Sequence, residues 1–546
     1  MKSKYNILIL SLLSLAAVSC SGLWDKEPQG VFTLDSYYQT PEEILTGITY
    51  CYQSLWLQEF QSGRFMVGNI MTDDAAKGAP VNEGVDIINS IAYNILPNTS
   101  LAGRFWGNCY TGLTRTNLML DIIADREFAM ENPSGYDFRK RMEGEAKFLR
   151  AFYSYYLVTV FGEVPYFTRP TVSNITSDLY ESRSRESIWA QIIADLTDAV
   201  SFLPKKDEYS QADRGRVTKG AAQFLLARAY MFNRRYDDAA KVLRTLIKED
   251  SYSLLPDYKD VFSKTNEFSS ESIFEIPFGE QEFWRTPGLG GHGQVMTQFQ
   301  TSRSDGGWGY NVPTQDLVDE FESGDPRLIY TVIFPKDEFE KGAAQKDDTS
   351  KYGYHNRKIF LPKAQRVPDI GNVDLHLRMF RLSDAYLMYA EAMLLGDEER
   401  NVEDAVFYVN EVRKRANASS RKDPDRVVQE KTVEDVMLPM IGYTTDAHLL
   451  EDIKHERRVE LAMEDIRYWD LLRWGDIEET MKAYYSKWGN GSNHPDKVAP
   501  DGYPDEKGRD VSEWTGRFPA GVYPVFPIPQ SSIINSDNRI VQSKYY

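Results

Sequence analysis

Two stretches far apart in the chain share one pattern, a pair of helices with small residues where the two helices would meet. In residues 218–250, alanines line one side of the first helix, and Ala239 and Ala240 return the contact from the second. Residues 382–416 repeat this pattern more loosely. Small side chains let two helices approach closely, and one such pair cannot bury its apolar face alone. The pattern therefore predicts a mostly α-helical chain built as an α/α superhelix of stacked pairs.

The length of each pair, about 34 residues, and its alternation of small and large side chains are tetratricopeptide features. The match to that repeat is partial, so a generic helical hairpin remains an alternative. Periodic apolar residues predict further helices at about 41–60, 104–130, 138–161, 185–203 and 447–472. Two regions, 251–380 and 487–530, are rich in glycine, proline and aromatic residues, which predicts variable loops there.

The segment ERRVELAMEDIRYWDLLRWG, residues 456–475, combines an apolar stripe with many charges. The stripe has a helical spacing and consists of Val459, Ala462, Met463, Ile466, Trp469 and Leu472. On one continuous helix, Glu460 and Glu464 would pair with basic residues one turn away, Arg457 and Arg467 respectively. Charges interleaved with a core stripe are more often structural than catalytic. We interpret this helix as architectural.

The first twenty residues have the features of an export signal. Lys2 and Lys4 precede an apolar run, and small residues stand directly before Cys20. The run Leu-Ala-Ala-Val-Ser-Cys resembles a bacterial lipobox, so residues 1–19 are predicted to be removed and Cys20 to be acylated. Plain secretion is the alternative. Since no other segment is long and apolar enough to span a bilayer, membrane attachment is expected through the lipid alone.

Charge excludes one class of partner. The formal net charge is −18, so the chain lacks the basic surface that nucleic acid requires. Cys51 and Cys109 fall in predicted helices, where free buried thiols are the commoner finding, although an exported protein could pair them. The six histidines show no zinc spacing. No cofactor is predicted, and structural calcium held by loop carboxylates remains open.

Catalytic motifs are missing from the sequence. Asp73 and Asp74 are the most conspicuous acids outside the helices, but adjacent loop residues rarely place two carboxylates across one bond at the roughly 5–9 Å that glycosidases use. We interpret them as a turn or capping element. Serine nucleophile elbows and the HExxH motif are absent. The chain is therefore predicted not to be an enzyme.

Six segments in order resemble the SusD/RagB family of outer-membrane lipoproteins. Besides the lipobox and residues 456–475, they are GEAKFLRAFYSYYLVTVFGEVPY (144–166), GRVTKGAAQFLLARAYMF (215–232), RLSDAYLMYAEAML with VNEVRKRA (381–394 and 409–416) and VYPVFPIPQSSI (522–533). Departures are small: Asp465 and Ile466 stand where glycine and a polar residue are frequent, and the tail QSKYY lacks the usual asparagine-proline.

The resemblance implies about four tetratricopeptide-like pairs, with an N-terminal region at 20–250, a C-terminal region at 251–546 and a variable, ligand-facing part. It implies a lipoprotein on the outer membrane that faces the cell exterior and captures oligosaccharides. Its implied partner is a SusC-like TonB-dependent transporter, over whose mouth it acts as a lid. Two alternatives remain open: a non-glycan nutrient such as peptides, and a glycan-degrading surface enzyme on the same scaffold.

The family motifs do not reach the ligand site, so that site is predicted on physical grounds. Sugar rings stack their C–H faces on aromatic side chains, and polar groups bind the hydroxyls. Aromatic residues in glycine-rich, polar surroundings are Phe283, Trp284, Trp308 and Tyr310, and nearby polar candidates are Arg285, His292, Gln294, Arg303 and Asp305. As an alternative, Trp308 and Tyr310 only anchor their loop to the helices. The loops within 72–100 are the second candidate location.

Overall fold

Helices dominate the described part of the chain, as the periodicity predicts. The computed structural model describes residues 37–79, 83–84, 87, 93, 95–125, 136–169, 177–249, 252–279, 293–344, 353–488, 511–519 and 521–546. Cys20 and the predicted export signal lie outside these residues. None of the helices within these ranges combines the length and apolar character needed to cross a bilayer.

The helices are numbered in chain order. They are α1 (Pro41–Trp56), α2 (Gln58–Phe65), α3 (Ser100–Asp125), α4 (Phe138–Phe161), α5 (Arg185–Phe202), α6 (Lys219–Phe232), α7 (Tyr236–Glu249), α8 (Met296–Gln300), α9 (Gln315–Glu320), α10 (Arg327–Thr331), α11 (Leu382–Leu395), α12 (Val402–Ala418), α13 (Asp446–Leu461), α14 (Arg467–Trp474), α15 (Ile477–Trp488), α16 (Val511–Thr515) and α17 (Gln530–Asn535). A π-helical turn, Met66–Ile70, follows α2.

Local sequence explains where several helices begin. Thr40 and Glu43 form a capping box at the start of α1, whose first residue is proline. Asn401 accepts a hydrogen bond from the backbone N–H of Asp404 at the start of α12, and Thr445 caps α13 in the same way. Such caps satisfy N–H groups that have no partner within the helix.

The two predicted helix pairs are hairpins in the structure. Helices α6 and α7 pack together, α11 packs on α12, and α7 also packs on α11, so the two pairs stack. Phe224 of α6 stacks on Phe380, with ring centroids 4.5 Å apart. Both rings belong to one large core that draws residues from either side of residue 250. The expectation of four such pairs stays a prediction.

The described strands are short and join segments that are distant in the sequence. They form antiparallel pairs: β1 (Ala75–Gly78) with β5 (Tyr310–Pro313), β2 (Val164–Pro165) with β3 (Ser182–Arg183), β4 (Ser272–Ile276) with β8 (Leu377–Arg381), and β6 (Val332–Ile333) with β7 (His355–Asn356). Three of these pairs involve the region 251–380, which was predicted to be loop-rich. Two of them close that region on itself, and β1–β5 joins it to the segment that precedes α3.

Cys51 and Cys109 are both buried free thiols. Each lies in a helix, Cys51 in α1 and Cys109 in α3. Burial raises the pKa of both thiols, because an apolar surrounding disfavours the thiolate. The two cysteines therefore act as small core residues, which was the commoner of the two alternatives.

The single helix predicted over 447–472 is wrong, because the chain breaks between α13 and α14. Met463 and Asp465 both have φ of 61° in this break, which no α-helix allows. Asp465 exchanges two hydrogen bonds with the Asn69 side chain, at 2.7 and 3.0 Å. A Cβ atom at Gly68 would lie 2.5 Å from the carbonyl oxygen of Asp465. A close contact with the π-helical turn thus overrides the local helical pattern.

The predicted partners of Glu460 and Glu464 are also wrong. Glu460 is fully buried and contacts Arg327, Arg381 and Arg415. Glu464 contacts Arg381 and Lys358, both at 2.7 Å. Burial opposes ionisation of Glu460, but the three arginines outweigh it and hold the pKa of this carboxyl well below its usual range. The charges form a buried network between elements, so the architectural interpretation of this segment is retained with different partners.

Replacing Trp469 with alanine should destabilise the protein by about 3–5 kcal/mol, as expected for a buried tryptophan. The side chain is 5% exposed, its indole N–H donates to Oγ1 of Thr159 at 3.0 Å, and its ring meets Tyr156 edge to face at 5.6 Å. Urea unfolding measures the change. Phe407→Ala is the control, because Phe407 is 50% exposed and should cost far less. Equal stability of the Trp469→Ala variant and the wild type would contradict the buried position.

Candidate ligand-binding surface

Four of the predicted ligand residues lie outside the described residues: Phe283, Trp284, Arg285 and His292. They stay predictions. Gln294, Arg303, Asp305, Trp308 and Tyr310 are described. Arg303, Asp305, Trp308 and Tyr310 lie on or directly after one turn, residues 301–309, that connects α8 to β5, whereas Gln294 precedes α8. This turn is therefore the described part of the candidate site.

Backbone hydrogen bonds hold the turn on the end of α8. The N–H of Gly307 donates to the carbonyl of Ser302 at 2.9 Å, and the N–H of Gly309 donates to that of Thr301 at 3.0 Å. The N–H of Trp308 donates to the carbonyl of Gln298 at 2.7 Å. Together these bonds set the direction in which the tryptophan leaves the backbone.

The glycines of Asp-Gly-Gly-Trp-Gly are required by this geometry. Gly306 has φ of 89°, in the left-handed region that glycine adopts without strain. A Cβ atom on Gly307 would lie 2.1 Å from the carbonyl oxygen of Thr301, which leaves no room for a side chain. The turn is thus a closely packed structure and not a flexible loop, in contrast to what its glycine content suggests.

Trp308 is partly packed and partly open. Its ring meets Phe299 edge to face, with centroids 4.6 Å apart and planes 72° apart. The residue nevertheless keeps 37% of its surface exposed. Trp308 therefore has both proposed properties, since it anchors the turn and also presents aromatic surface to solvent.

Tyr310 and Gln294 are not surface groups in this structure. Tyr310 is 8% exposed, belongs to β5 and pairs across the ladder with Gly78. Gln294 is fully buried, and its Oε1 accepts hydrogen bonds from the N–H and hydroxyl of Thr297. Direct ligand contact by either side chain would need the turn to open. For Tyr310, the alternative that it anchors the loop fits this geometry better.

A charged rim comes from a distant loop that the motif pattern did not mark. Arg303 forms an ion pair with Glu83, and both side chains are partly exposed. The ammonium of Lys77 donates to the backbone carbonyl of Glu83 at 2.9 Å. Burial lowers the pKa of Lys77 to about 8, although the Glu83 carboxylate opposes this shift. The Asp305 carboxylate pairs with other residues, because Arg366 and Lys363 both contact it.

Residues 75–79 reach this turn through the β1–β5 ladder. Ala75 pairs with Pro313 and Gly78 with Tyr310, and the N–H of Ala79 donates to the carbonyl of Gly309 at 2.8 Å. More than two hundred residues separate the two segments, so no local spacing could indicate this pairing. The ladder therefore places residues 75–79 next to the turn that carries Trp308. These residues belong to the 72–100 loops, the second candidate location for the ligand site.

Comparison with known proteins gives the family. A model of the SusD family matches residues 270–546, and a second model, described as starch-binding associating with outer membrane, matches residues 42–231. The chain belongs to the SusD family. SusD-like protein P25 of Formosa agariphila is 22% identical over 526 aligned residues, which cover 89% of this chain and 93% of that protein.

Solved SusD-like structures share the fold. Surface glycan-binding protein A from Bacteroides fluxus aligns with a TM-score of 0.71 and 26% identity over 93% of this chain and 100% of that chain. Surface glycan-binding protein A from Bacteroides thetaiotaomicron in complex with laminarihexaose aligns with a TM-score of 0.69 and 22% identity over the same shares. SusD family proteins are non-catalytic binding proteins, so the chain is not an enzyme.

In this SusD family protein, Asp73 and Asp74 form buried ion pairs. Arg458 contacts both carboxylates at 2.9 Å, and Arg467 contacts Asp73 at 2.9 Å. Burial opposes ionisation of Asp73, but the two guanidiniums outweigh it and lower its pKa. Burial and the neighbouring Asp73 raise the pKa of Asp74. The acids tie the segment before β1 to α13 and α14, which agrees with a structural role.

Metal ligands are not grouped within the ranges that the structure describes: no three or more His, Cys, Asp or Glu side chains there are arranged to hold an ion. His455, the histidine on α13 that lies closest to acids, contacts Oε1 of Glu320 at 2.7 Å and Oε2 of Glu322 at 3.3 Å. Burial of the ring opposes protonation, but these two carboxylates outweigh it and raise the pKa of His455 to about 9. The histidine thus acts as the cation of an ion-pair cluster. Structural calcium stays a prediction.

Gly307→Ala should distort the turn that carries Trp308 and cost about 1–3 kcal/mol, the usual cost of forcing extra atoms into a packed site. The reason is the 2.1 Å approach to Thr301. Gly306→Asn is the matched control, since no atom lies within 4 Å of a Cβ there and asparagine tolerates a left-handed φ. Thermal unfolding of both variants checks the prediction. Equal melting temperatures for the two would show that the turn is not closely packed.

Proposed function

We propose that the protein is a cell-surface lipoprotein that binds oligosaccharides around Trp308 and delivers them to a SusC-like TonB-dependent transporter in the outer membrane. The observation that carries the ligand site is an exposed tryptophan on a turn fixed by three backbone hydrogen bonds. A rigid platform loses little conformational entropy when a ligand binds. It is also held on a helical frame, as binding loops usually are.

The surroundings of Trp308 suit a sugar. An indole face takes the C–H groups of a pyranose ring, and partly exposed Arg303 and Glu83 supply a donor and an acceptor for hydroxyl groups. The two partly exposed charges pair with each other, and the ammonium of Lys77 beside them is buried. A neutral, hydroxyl-rich ligand fits such a surface better than a charged one. Phe283 and Trp284 remain the proposed second aromatic contact.

The relatives support a glycan as the ligand class. The B. fluxus and B. thetaiotaomicron structures are named surface glycan-binding proteins, and the second contains laminarihexaose. One of the matching family models is described as starch-binding and associated with the outer membrane. Membership of the same family supports the proposed cell-surface placement and transporter partner, and the lipobox before Cys20 supports the proposed lipid attachment.

Trp308→Ala should weaken binding of the best glycan on a polysaccharide array by about 1–3 kcal/mol, the scale measured for bases stacked on aromatic side chains. That corresponds to roughly 5- to 150-fold in Kd. The loss should occur without a large change in melting temperature, because the turn is held by backbone bonds. Isothermal titration of the purified protein with the array-selected glycan measures it.

Phe407→Ala is the control for this experiment, since Phe407 is exposed on α12 and should leave Kd unchanged. Full binding by Trp308→Ala with loss of binding by a Phe283→Ala/Trp284→Ala variant would move the site to the glycine-rich segment 283–292. Release of shorter sugars from the glycan by pure protein would contradict the non-catalytic assignment.

Cys20→Ala should abolish acylation and release the protein from the membrane fraction. Several acyl chains on one cysteine give durable attachment, since each buried CH₂ contributes about 0.8 kcal/mol. Metabolic labelling with an alkyne fatty acid should mark the wild type and not the variant. Cys51→Ala is a suitable control because Cys51 is fully buried in α1. Labelling of the Cys20→Ala variant at the wild-type level would show that the lipobox assignment is wrong.

A further inference from the structure

A cleft of about 320 Å³ lies where four parts of the chain meet. Its lining comes from the end of α6, the end of α14, the start of α15 and the segment that runs from the end of α16 to Pro524. The turn at 301–309 contributes no residue to it. Clefts of this size accommodate small ligands. The cleft is therefore a candidate site that is separate from the surface around Trp308.

Most of the side chains that line the cleft are apolar. Leu472 and Ile477 are buried, whereas Phe232, Val522 and Tyr523 keep part of their surface accessible. Ligand sites are usually lined in this way, with a few polar groups that fix the orientation of the ligand. The apolar lining therefore suits a ligand that has an apolar body.

Contacts with the rest of the protein hold the walls of the cleft in place. The ring of Phe232 stacks on Trp189, with centroids 5.5 Å and planes 24° apart. Nη1 of Arg185 donates to the carbonyl of Tyr523 at 2.9 Å. The hydroxyl of Thr515 donates to the Glu478 carboxylate at 2.5 Å and so joins α16 to α15. Because the walls are fixed in this way, a ligand would bind with little loss of conformational entropy from the protein.

Of the charged side chains that line the cleft, Arg234 alone is without a partner among the residues that the structure describes. The guanidinium of Arg473 contacts the carboxylates of Glu391 and Asp470. The Glu478 carboxylate contacts the ammonium of Lys482. Arg234 is exposed, and its guanidinium makes no hydrogen bond, ion pair or ring contact with any described residue. The cleft therefore carries one uncompensated positive charge.

The backbone of Arg234 is also unusual. Its φ is 54°, in the left-handed region, directly after the end of α6. The N–H of Arg235 donates to the carbonyl of Tyr230 at 2.9 Å and closes the helix end. Glycine is the usual residue at such a position, because a side chain there adds strain. Strained residues are frequent at functional sites. Arginine here places a cation at the cleft at a cost in backbone energy.

The charge and the lining together define a class of ligand. A guanidinium binds a carboxylate through two parallel hydrogen bonds. The other polar side chains of the cleft already have partners, and the Thr515 hydroxyl also contacts the carbonyl of Val511 at 3.1 Å. A hydroxyl-rich ligand would therefore give up hydrogen bonds to water without replacing them, which is costly. A carboxylate with an apolar body fits better than a sugar.

We propose that this cleft binds a small monocarboxylate with an apolar body. The carboxylate of the ligand pairs with Arg234, and its apolar part lies against Phe232 and Val522. The site differs from the turn at 301–309 in position and in chemistry, and the proposal does not depend on the glycan proposal. The compound 3-phenylpropionate has one carboxylate and an aromatic body, so it serves as the probe.

Isothermal titration of the purified protein with three compounds tests the ligand class. They are 3-phenylpropionate, its neutral amide 3-phenylpropionamide and glucuronate. The first should bind at least about tenfold more tightly than the amide, which lacks the charge that pairs with arginine. It should also bind at least about tenfold more tightly than glucuronate, whose hydroxyl groups would face apolar walls. Absence of binding by 3-phenylpropionate, or equal binding by either of the other compounds, overturns the proposal.

Two neighbouring arginines place the site in the chain. Arg234→Gln should bind 3-phenylpropionate as weakly as the wild type binds the amide. Arg235→Gln is the matched control, since Arg235 is also exposed but pairs with Asp238 and does not line the cleft. The melting temperature of Arg234→Gln and the glycan binding of both variants should equal those of the wild type, because the Arg234 guanidinium has no partner among the described residues. The proposal is overturned if Arg234→Gln still prefers the acid to the amide, or if Arg235→Gln loses that preference equally.

Discussion

Glu460 is buried and ionised, and it contacts arginines from three separate elements: Arg327 of α10, Arg381 at the end of β8 and Arg415 of α12. A carboxylate removed from water is costly unless its partners are all in place. Each of these arginines also contacts a further carboxylate, which is Asp325 and Glu456 for Arg327, Glu271 and Glu464 for Arg381, and Glu271 for Arg415. The network therefore forms only when the helical frame and the region 251–380 are assembled together. This mutual requirement connects the loop-rich region to the helices.

Polar side chains of helices also hold two irregular segments elsewhere in the molecule. Arg458 of α13 binds Asp73 and Asp74 directly before β1, and β1 pairs with the strand that follows Trp308. On α12, asparagine and arginine side chains hold the backbone of residues 433–443. In both places a rigid helix fixes an irregular segment through polar side chains, and at residues 433–443 these side chains also satisfy backbone groups.

The periodic spacing of apolar residues predicted the helices correctly, but it did not predict where the helix over 447–472 is interrupted. The pairs at 218–250 and 382–416 appear as predicted, since the packing of small residues is encoded locally. The break between α13 and α14 was missed, because Asn69 and Gly68, about four hundred residues away, cause it. At the candidate site, the glycine-rich surroundings of Trp308 were informative. They did not reveal that Tyr310 is buried, or that Glu83 would complete the rim.

By itself, the sequence determined the helical class, the family and the non-catalytic character. These properties depend on residues close together in the chain, such as helical spacing, caps and consecutive glycines. Only the tertiary structure decided which charges pair and which aromatic residues stay exposed. Each of these depends on contacts between segments hundreds of residues apart, and burial changes the energy of a charge or an N–H group far more than any neighbour in sequence does.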